Sequence, residues 1–187
     1  MHYFSRIFKM NSSLIAKIIS IVIVVLVMFA KDSNATNDPL PVTSVQNVDL
    51  ARYMGVWYEI ARFEHFFQKG CRGSTASYML SPTGEIEVIN RCVNEKNKNL
   101  REAKGRAWSV DPNGNARLKV SFFWPFRTDY WIIDLGREYE YAVVGSPNRK
   151  YLWILARKPV MEKDVYKHIL GLVANQGFDI EKLVRKP

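Results

Sequence analysis

Few side chains in this chain are of types that carry out covalent or metal chemistry. The sequence contains two cysteines, Cys71 and Cys92, and three histidines, His2, His65 and His168. Two cysteines without an accompanying histidine cluster do not make a zinc site, and no motif of an activated nucleophile accompanies the histidines. The sequence therefore predicts no metal, no cofactor and no catalytic centre. An enzyme that uses His65 is the competing hypothesis.

The charge pattern limits the class of partner. The chain has 27 Lys and Arg against 18 Asp and Glu, a formal net charge of +9. An excess of positive charge favours acidic ligands or an anionic membrane surface. The basic residues are scattered and no nucleic-acid recognition motif accompanies them, so a nucleic-acid partner is not predicted.

Residues 1–35 are typical of an export signal. Basic residues precede an apolar run over residues 18–30, and Ser33-Asn34-Ala35 places small residues at positions −3 and −1 of a cut after Ala35. The run is shorter than the roughly 20 residues that span a bilayer as a helix. An uncleaved N-terminal anchor is the alternative. An exported chain with two cysteines favours a disulfide.

Alternating side chains predict the elements that position the remaining candidates. Gly55–Arg62 alternates like a strand. Seven more such segments follow at spacings of about 8–12 residues, as in a barrel or sandwich; they are residues 74–80, 85–92, 103–110, 117–123, 130–135, 139–144 and 151–157. Between Met161 and Asn175 the apolar residues instead recur at helical spacing.

This pattern predicts an all-β fold, an eight-stranded antiparallel up-and-down β-barrel with a C-terminal α-helix packed outside. Residues 36–44, with two prolines, are predicted to form an extended leader, and residues 45–187 the domain itself. An interior of this size holds side chains or one small ligand.

Four stretches carry a resemblance to the lipocalin family, in particular to bacterial lipocalins related to apolipoprotein D. They are Gly-x-Trp-Tyr-Glu-Ile-Ala-Arg at 55–62, Val-Ser-Phe-Phe at 120–123, Arg-Glu-Tyr at 137–139 and Tyr-Leu-Trp-Ile-Leu at 151–155. The resemblance implies structural roles for Gly55, Trp57 and Arg157, with Trp57 at the closed base of the barrel and the Arg157 guanidinium stacked across it.

The resemblance also bears on the second family signature and on location. The signature belongs in the turn after the sixth strand, which assigns it to 136–139 rather than to Thr128-Asp129-Tyr130. Many similar bacterial lipocalins are anchored through an N-terminal lipidated cysteine. No cysteine lies near the predicted cut, so we expect an exported form, periplasmic or secreted, with outer-membrane association as the alternative.

In such a barrel, alternate loops meet at the open mouth. These loops carry aromatic residues, among them Phe66, Phe67, Trp124 and Phe126, together with several Lys and Arg. An aromatic and basic rim suits an anionic amphiphile or peripheral contact with a membrane, and a merely solvated rim is the alternative. The same geometry places Cys71 and Cys92 together at the mouth, which predicts a disulfide, with two free thiols as the alternative.

Parity along the strands, counted from Trp57, predicts which side chains face the interior and bind a ligand. The candidates are Glu59, Ala61, Ala76, Tyr78, Val88, Asn90, Leu118, Val120, Phe122, Tyr130, Ile132, Tyr151 and Trp153. Such a mostly apolar lining is typical of a lipid site. Glu59 requires a hydrogen-bonded partner there; it either orients a polar head group or bonds neighbouring Tyr or Asn side chains.

The predicted function is non-catalytic binding, storage or transport of a small hydrophobic ligand of the fatty acid or lysophospholipid class in the cell envelope, with membrane maintenance under stress as its context. The alternative is an envelope stress protein that acts through membrane or protein contact. The ligand's identity and the oligomeric state do not follow from the sequence.

Overall fold

The computed structural model describes residues 40–111 and 113–185; the predicted export signal and residues 36–39 of the predicted leader lie outside the described residues. The strands are β1 Gly55–Phe63, β2 Cys71–Leu80, β3 Ile86–Asn94, β4 Leu100–Ser109, β5 Arg117–Phe123, β6 Phe126–Leu135, β7 Tyr141–Gly145, β8 Leu152–Ala156 and β9 Leu183–Val184. The helices are α1 Leu50–Tyr53 and α2 Lys163–Asn175, with 3-10 turns at Phe66–Gln68 and Ile180–Lys182.

The strands form one closed barrel. Each of β2 to β7 is hydrogen-bonded to the next strand along the chain, and β1 closes the barrel by pairing with both β8 and β2. Closure removes the exposed sheet edges that would otherwise template association. The predicted eight-stranded antiparallel barrel is confirmed, and the short β9 pairs with the end of β1 at Arg62 and Phe63.

Several strands differ in length from the prediction. β2, β4 and β6 begin earlier, because cross-strand pairs such as Cys71 with Asn94 extend the ladders into polar sequence at the mouth. β7 begins at Tyr141 rather than Tyr139, because Tyr139 has a φ of 60° and belongs to the turn. That turn follows the sixth strand, where the family signature was assigned.

Buried side chains form two clusters on opposite sides of the barrel wall. The interior cluster includes Trp57, Tyr78 and Leu118. The second cluster lies on the outer face of the wall, where Ile169 and Val173 of α2 are fully buried. The amphipathic helix is therefore confirmed. It ends before Gly177, whose φ of 78° is the left-handed conformation that glycine adopts most readily after a helix.

The base of the barrel is held by the three residues that the family resemblance singled out. The Arg157 guanidinium carbon lies 3.8 Å from the centroid of the fully buried Trp57 ring. Arg157 also donates to the carbonyl oxygens of Arg52 at 2.7 Å and Val56 at 3.0 Å. Gly55 has a φ of 95°, and a Cβ there would lie 3.3 Å from an Arg157 nitrogen. The Arg157 guanidinium thus stacks across the Trp57 ring, as the resemblance implies.

At the mouth, Cys71 and Cys92 form a disulfide with their Cα atoms 5.4 Å apart. The predicted pairing is confirmed, and the two-thiol alternative is wrong. Among the described residues, no helix is long and apolar enough to cross a membrane.

Candidate functional site

Most of the predicted ligand-facing side chains line the barrel interior. Those buried in the interior cluster are Ala76, Tyr78, Val88, Leu118, Val120, Tyr130 and Ile132, and Phe122 and Trp153 pack against them. The structure thus brings together one apolar lining drawn from β2, β3, β5, β6 and β8.

Ala61 is the exception, and the prediction that it faces the interior is wrong. Glu59 is opposite Leu155 and Ala61 is opposite Ile154, so β1 carries one extra residue, Ile60, at this point. Such a bulge reverses the alternation of the side chains beyond it. Ile60 and Ala61 both pack in the cluster beneath α2, and Arg62 takes the inward position instead.

Glu59 and Arg62 form a buried ion pair near the mouth. The Arg62 side chain is fully buried and that of Glu59 is 6% exposed. Arg62 also donates to the carbonyl oxygen of Gln68 at 3.2 Å, and the Gln68 amide donates to Glu59 at 2.9 Å. The partners of Glu59 are therefore Arg62 and Gln68, and not the Tyr or Asn neighbours that parity favoured.

The Gln68 side chain ties the β1–β2 connection to β8, the strand beside β1. Gln68 lies in the 3-10 turn Phe66–Gln68, and its side-chain oxygen accepts a hydrogen bond of 3.0 Å from the Trp153 indole. Beside it, the buried His65 ring stacks on Phe67 at 5.1 Å and meets the Tyr151 ring edge-on at 4.8 Å. Tyr151 therefore lies in an aromatic group at the mouth.

His65 is held in its neutral form. Burial, and then the neighbouring Arg62 charge, lower the pKa of His65 from 6.5 to about 4, against a smaller opposing effect of Glu64. Between those two pH values the unfolded chain binds a proton that the folded protein does not. Stability is thus unaffected by this group above pH 6.5 and decreases as the pH falls from 6.5 towards 4.

We expect the His65 ring to titrate with a midpoint near pH 4 in an NMR pH series. Replacing His65 by Phe, which keeps a stacking ring, should reduce the loss of unfolding free energy between pH 7 and pH 5 measured in urea. His2→Gln and His168→Gln variants assign the three ring signals. A midpoint near 6.5 for His65 would contradict the burial of this ring.

Three tyrosines place their hydroxyls together within the interior lining. The Tyr130 hydroxyl lies 2.8 Å from both the Tyr53 and the Tyr78 hydroxyls. Burial raises the pKa of Tyr78 to about 12 and those of Tyr53 and Tyr130 well above 10. The group therefore stays neutral, and it provides polar contacts within an apolar lining.

Four further polar atoms are buried without a hydrogen-bond partner among the described residues. They are Arg62 Nε, His65 Nε2, Ser74 Oγ and Asn90 Oδ1. Asn90 is opposite Ala76 of the interior cluster, in agreement with its predicted inward face. Such atoms are costly to bury unpaired, so they mark where the lining is polar.

Sequence reasoning did not identify the roles of Arg62, Gln68 and Tyr53. Arg62 has an outward parity in a regular strand, and only the bulge turns it inward. Gln68 and Tyr53 lie outside the barrel strands, so strand alternation carries no information about them. No group of three or more His, Cys, Asp or Glu suited to a metal occurs within residues 40–111 and 113–185.

Comparisons with known proteins agree with this architecture. A family model for the lipocalin-like domain matches residues 48–187. The outer membrane lipoprotein Blc of Escherichia coli (strain K12) is 42% identical over 80% of this chain and 86% of its own length. Apolipoprotein D of Mus musculus is 33% identical over 82% of this chain and 85% of its own length.

Among solved structures, insecticyanin from the tobacco hornworm Manduca sexta superposes with a TM-score of 0.63 at 19% identity, covering 78% of this chain and 84% of that one. That likeness shows the same fold. Together with the family match over the domain, it leads to one identification: the chain belongs to the lipocalin family.

Proposed function

We propose that the barrel interior binds and carries one small hydrophobic or amphiphilic molecule of the fatty acid or lysophospholipid class, without catalysis. The observation that carries the proposal is the apolar lining, in which Val88, Leu118 and Ile132 are each at most 2% exposed. Burying an acyl chain in such a lining contributes about 0.8 kcal/mol per methylene. The Glu59–Arg62 pair adds no net charge to the lining.

The proposed place of action is the cell envelope. The E. coli relative is named as an outer membrane lipoprotein, and the N-terminal sequence pattern supports export. Maintenance of the membrane under stress is the proposed setting.

Replacing Val120 by Arg should abolish saturable binding of a fluorescent fatty acid to the purified protein, because a charged side chain would occupy the interior. Met79→Arg is the matched control, since Met79 is 47% exposed on β2. Circular dichroism checks that both variants are folded. Val120→Phe is the milder variant, and it should weaken the binding of fatty acids with long acyl chains more than that of fatty acids with short ones.

Saturable binding that survives in both Val120 variants would place the ligand outside the barrel. If the unmodified protein bound no fatty acid and no lysophospholipid, carriage itself would be contradicted.

A second candidate function is peripheral contact with an anionic membrane through the mouth. The observation that favours it is a set of exposed aromatic side chains there, with Phe66 89%, Phe123 78% and Phe126 77% exposed. Large exposed apolar patches mark interaction surfaces. The basic side chains nearby, including the exposed Lys69, complement anionic lipid.

We expect Phe66→Ser/Phe126→Ser to reduce cosedimentation with anionic vesicles several-fold, whereas Val160→Ser should leave it unchanged. Val160 is equally exposed, at 78%, but lies between β8 and α2. If both variants cosedimented with the vesicles to the same extent as the unmodified protein, membrane contact at the mouth would be contradicted. The proposed carriage of a ligand would not be affected by that result.

A further inference from the structure

The barrel wall has a seam between β4 and β5. β4 extends from Leu100 to Ser109, but it pairs with β5 only from Arg106, opposite Ser121, to Ser109, opposite Leu118. Over Leu100–Gly105, the edge of β4 that faces β5 has no strand partner in the described part of the chain. Because β5 ends at Phe123, most of this stretch of β4 extends beyond the end of β5.

A cleft of about 690 Å³ lies at this seam. It is lined both by interior side chains, Ile86 and Phe122, and by Arg106 and Trp108, which alternate with the buried Ala107 and face outward. The cleft therefore reaches from the outer surface into the wall. Its volume is within the range of small-molecule sites, roughly 300–1,000 Å³.

Phe122 lines the cleft and also packs against the interior cluster. A Cβ at Gly105 would lie 2.7 Å from the Ser121 carbonyl oxygen and 2.8 Å from Phe122 Cδ1. The ring thus packs directly against the Gly105 backbone, just beyond the last β4–β5 pair. Phe122 is only partly buried, and turning its ring aside breaks no backbone hydrogen bond.

The cleft offers both signs of charge beside two indole rings. Lys104 and Arg106 provide cations, and the lining also contains two carboxylates, Glu85 and Glu87. The Arg106 guanidinium lies 3.9 Å from Glu85, an exposed pair that is weak in water. Trp124, which is 77% exposed, forms part of the same lining, as does Trp108.

These groups complement a head group that is itself zwitterionic. A phosphodiester accepts hydrogen bonds from Lys and Arg, and an ammonium group is attracted to carboxylates and to the faces of indole rings. A free fatty acid has only an anionic group. It would therefore be bound by the Lys and Arg side chains but not by the carboxylates and indole rings.

We propose that the lateral cleft is a binding subsite for the zwitterionic phosphodiester head group of a single-chain phospholipid, whose acyl chain passes the Phe122 ring into the barrel interior. This inference rests on the proposed carriage of an amphiphile and adds a place for its head group, in the side wall instead of the mouth.

The test compares two ligands of equal chain length, lysophosphatidylcholine and the corresponding fatty acid, by titration calorimetry with the full chain. Trp124→Ala should weaken lysophosphatidylcholine binding about five-fold, which corresponds to one cation–π contact, and change fatty acid binding less than two-fold. Val160→Ala is the matched control, because Val160 has a similar exposure of 78% but lies outside the cleft and away from the mouth loops.

A second measurement locates the head group directly. Lysophosphatidylcholine with a nitroxide on its head group should quench the indole fluorescence, and this quenching should fall in Trp108→Phe/Trp124→Phe, which lacks both indole rings of the cleft. Affinities for the two ligands that change equally in Trp124→Ala and Val160→Ala, or quenching that is undiminished in Trp108→Phe/Trp124→Phe, would overturn the subsite while carriage stands. Failure of the unmodified protein to bind either ligand would instead contradict the proposed function.

Discussion

Replacing Arg62 by Met will lower the free energy of unfolding by about 3–5 kcal/mol, the cost of leaving one member of a buried ion pair without its partner. Glu59, with its side chain 6% exposed, would keep only the Gln68 amide as a hydrogen-bond donor. The Gln68 carbonyl oxygen would also lose a donor. Urea unfolding at neutral pH measures the change.

Arg72→Met is the matched control for this variant. Arg72 lies on β2, its side chain is 67% exposed, and it is 3.9 Å from Glu95; exposed pairs of this kind contribute about 0–1 kcal/mol. The double variant Glu59→Gln/Arg62→Met should regain part of the loss, since no unpaired charge remains buried. If Arg62→Met lowered the free energy of unfolding no more than Arg72→Met, the contribution of the buried pair to stability would be contradicted.

Replacing Trp57 by Ala will have a comparable effect, about 3–5 kcal/mol, because it removes a fully buried indole from the base of the barrel. Arg157 would lose the ring on which its guanidinium is stacked, although its hydrogen bonds to backbone carbonyl oxygens remain. Chemical denaturation measures the loss of unfolding free energy. If the slope of that free energy against denaturant concentration is unchanged, the folded state is still compact.

Trp124→Ala serves as the reference, because Trp124 is 77% exposed and its removal should cost at most about 0.5 kcal/mol. A double-mutant cycle of Trp57→Leu and Arg157→Gln isolates the stacking contact, for which we expect a coupling of about 0.5–2 kcal/mol. If Trp57→Ala and Trp124→Ala proved equally mild, Trp57 would not be the floor of the barrel.

The structure extends the prediction for the mouth. The sequence predicted a disulfide between Cys71 and Cys92 there, with two free thiols as the alternative, and the bond is formed. It also indicated aromatic loops, but not that His65 is buried between Phe67 and Tyr151. Loop conformation depends on contacts that strand alternation does not describe.

Local sequence patterns determined the class of this protein. Alternation with period two predicts strands, the change to helical spacing predicts α2, and Gly55, Trp57 and Arg157 identify the base of a lipocalin. These features need only neighbouring residues or a short motif, so they can be recognised before any tertiary contact is known.

Two features were decided only by the tertiary structure. They are which side chains face the interior near the mouth, and where the hydrogen-bonded ladder between β4 and β5 ends. One extra residue in β1 turns Ala61 outward and Arg62 inward, and the β4–β5 ladder stops at Arg106. Both follow from the register against strands that are distant in sequence, because a single bulge reverses every side chain beyond it.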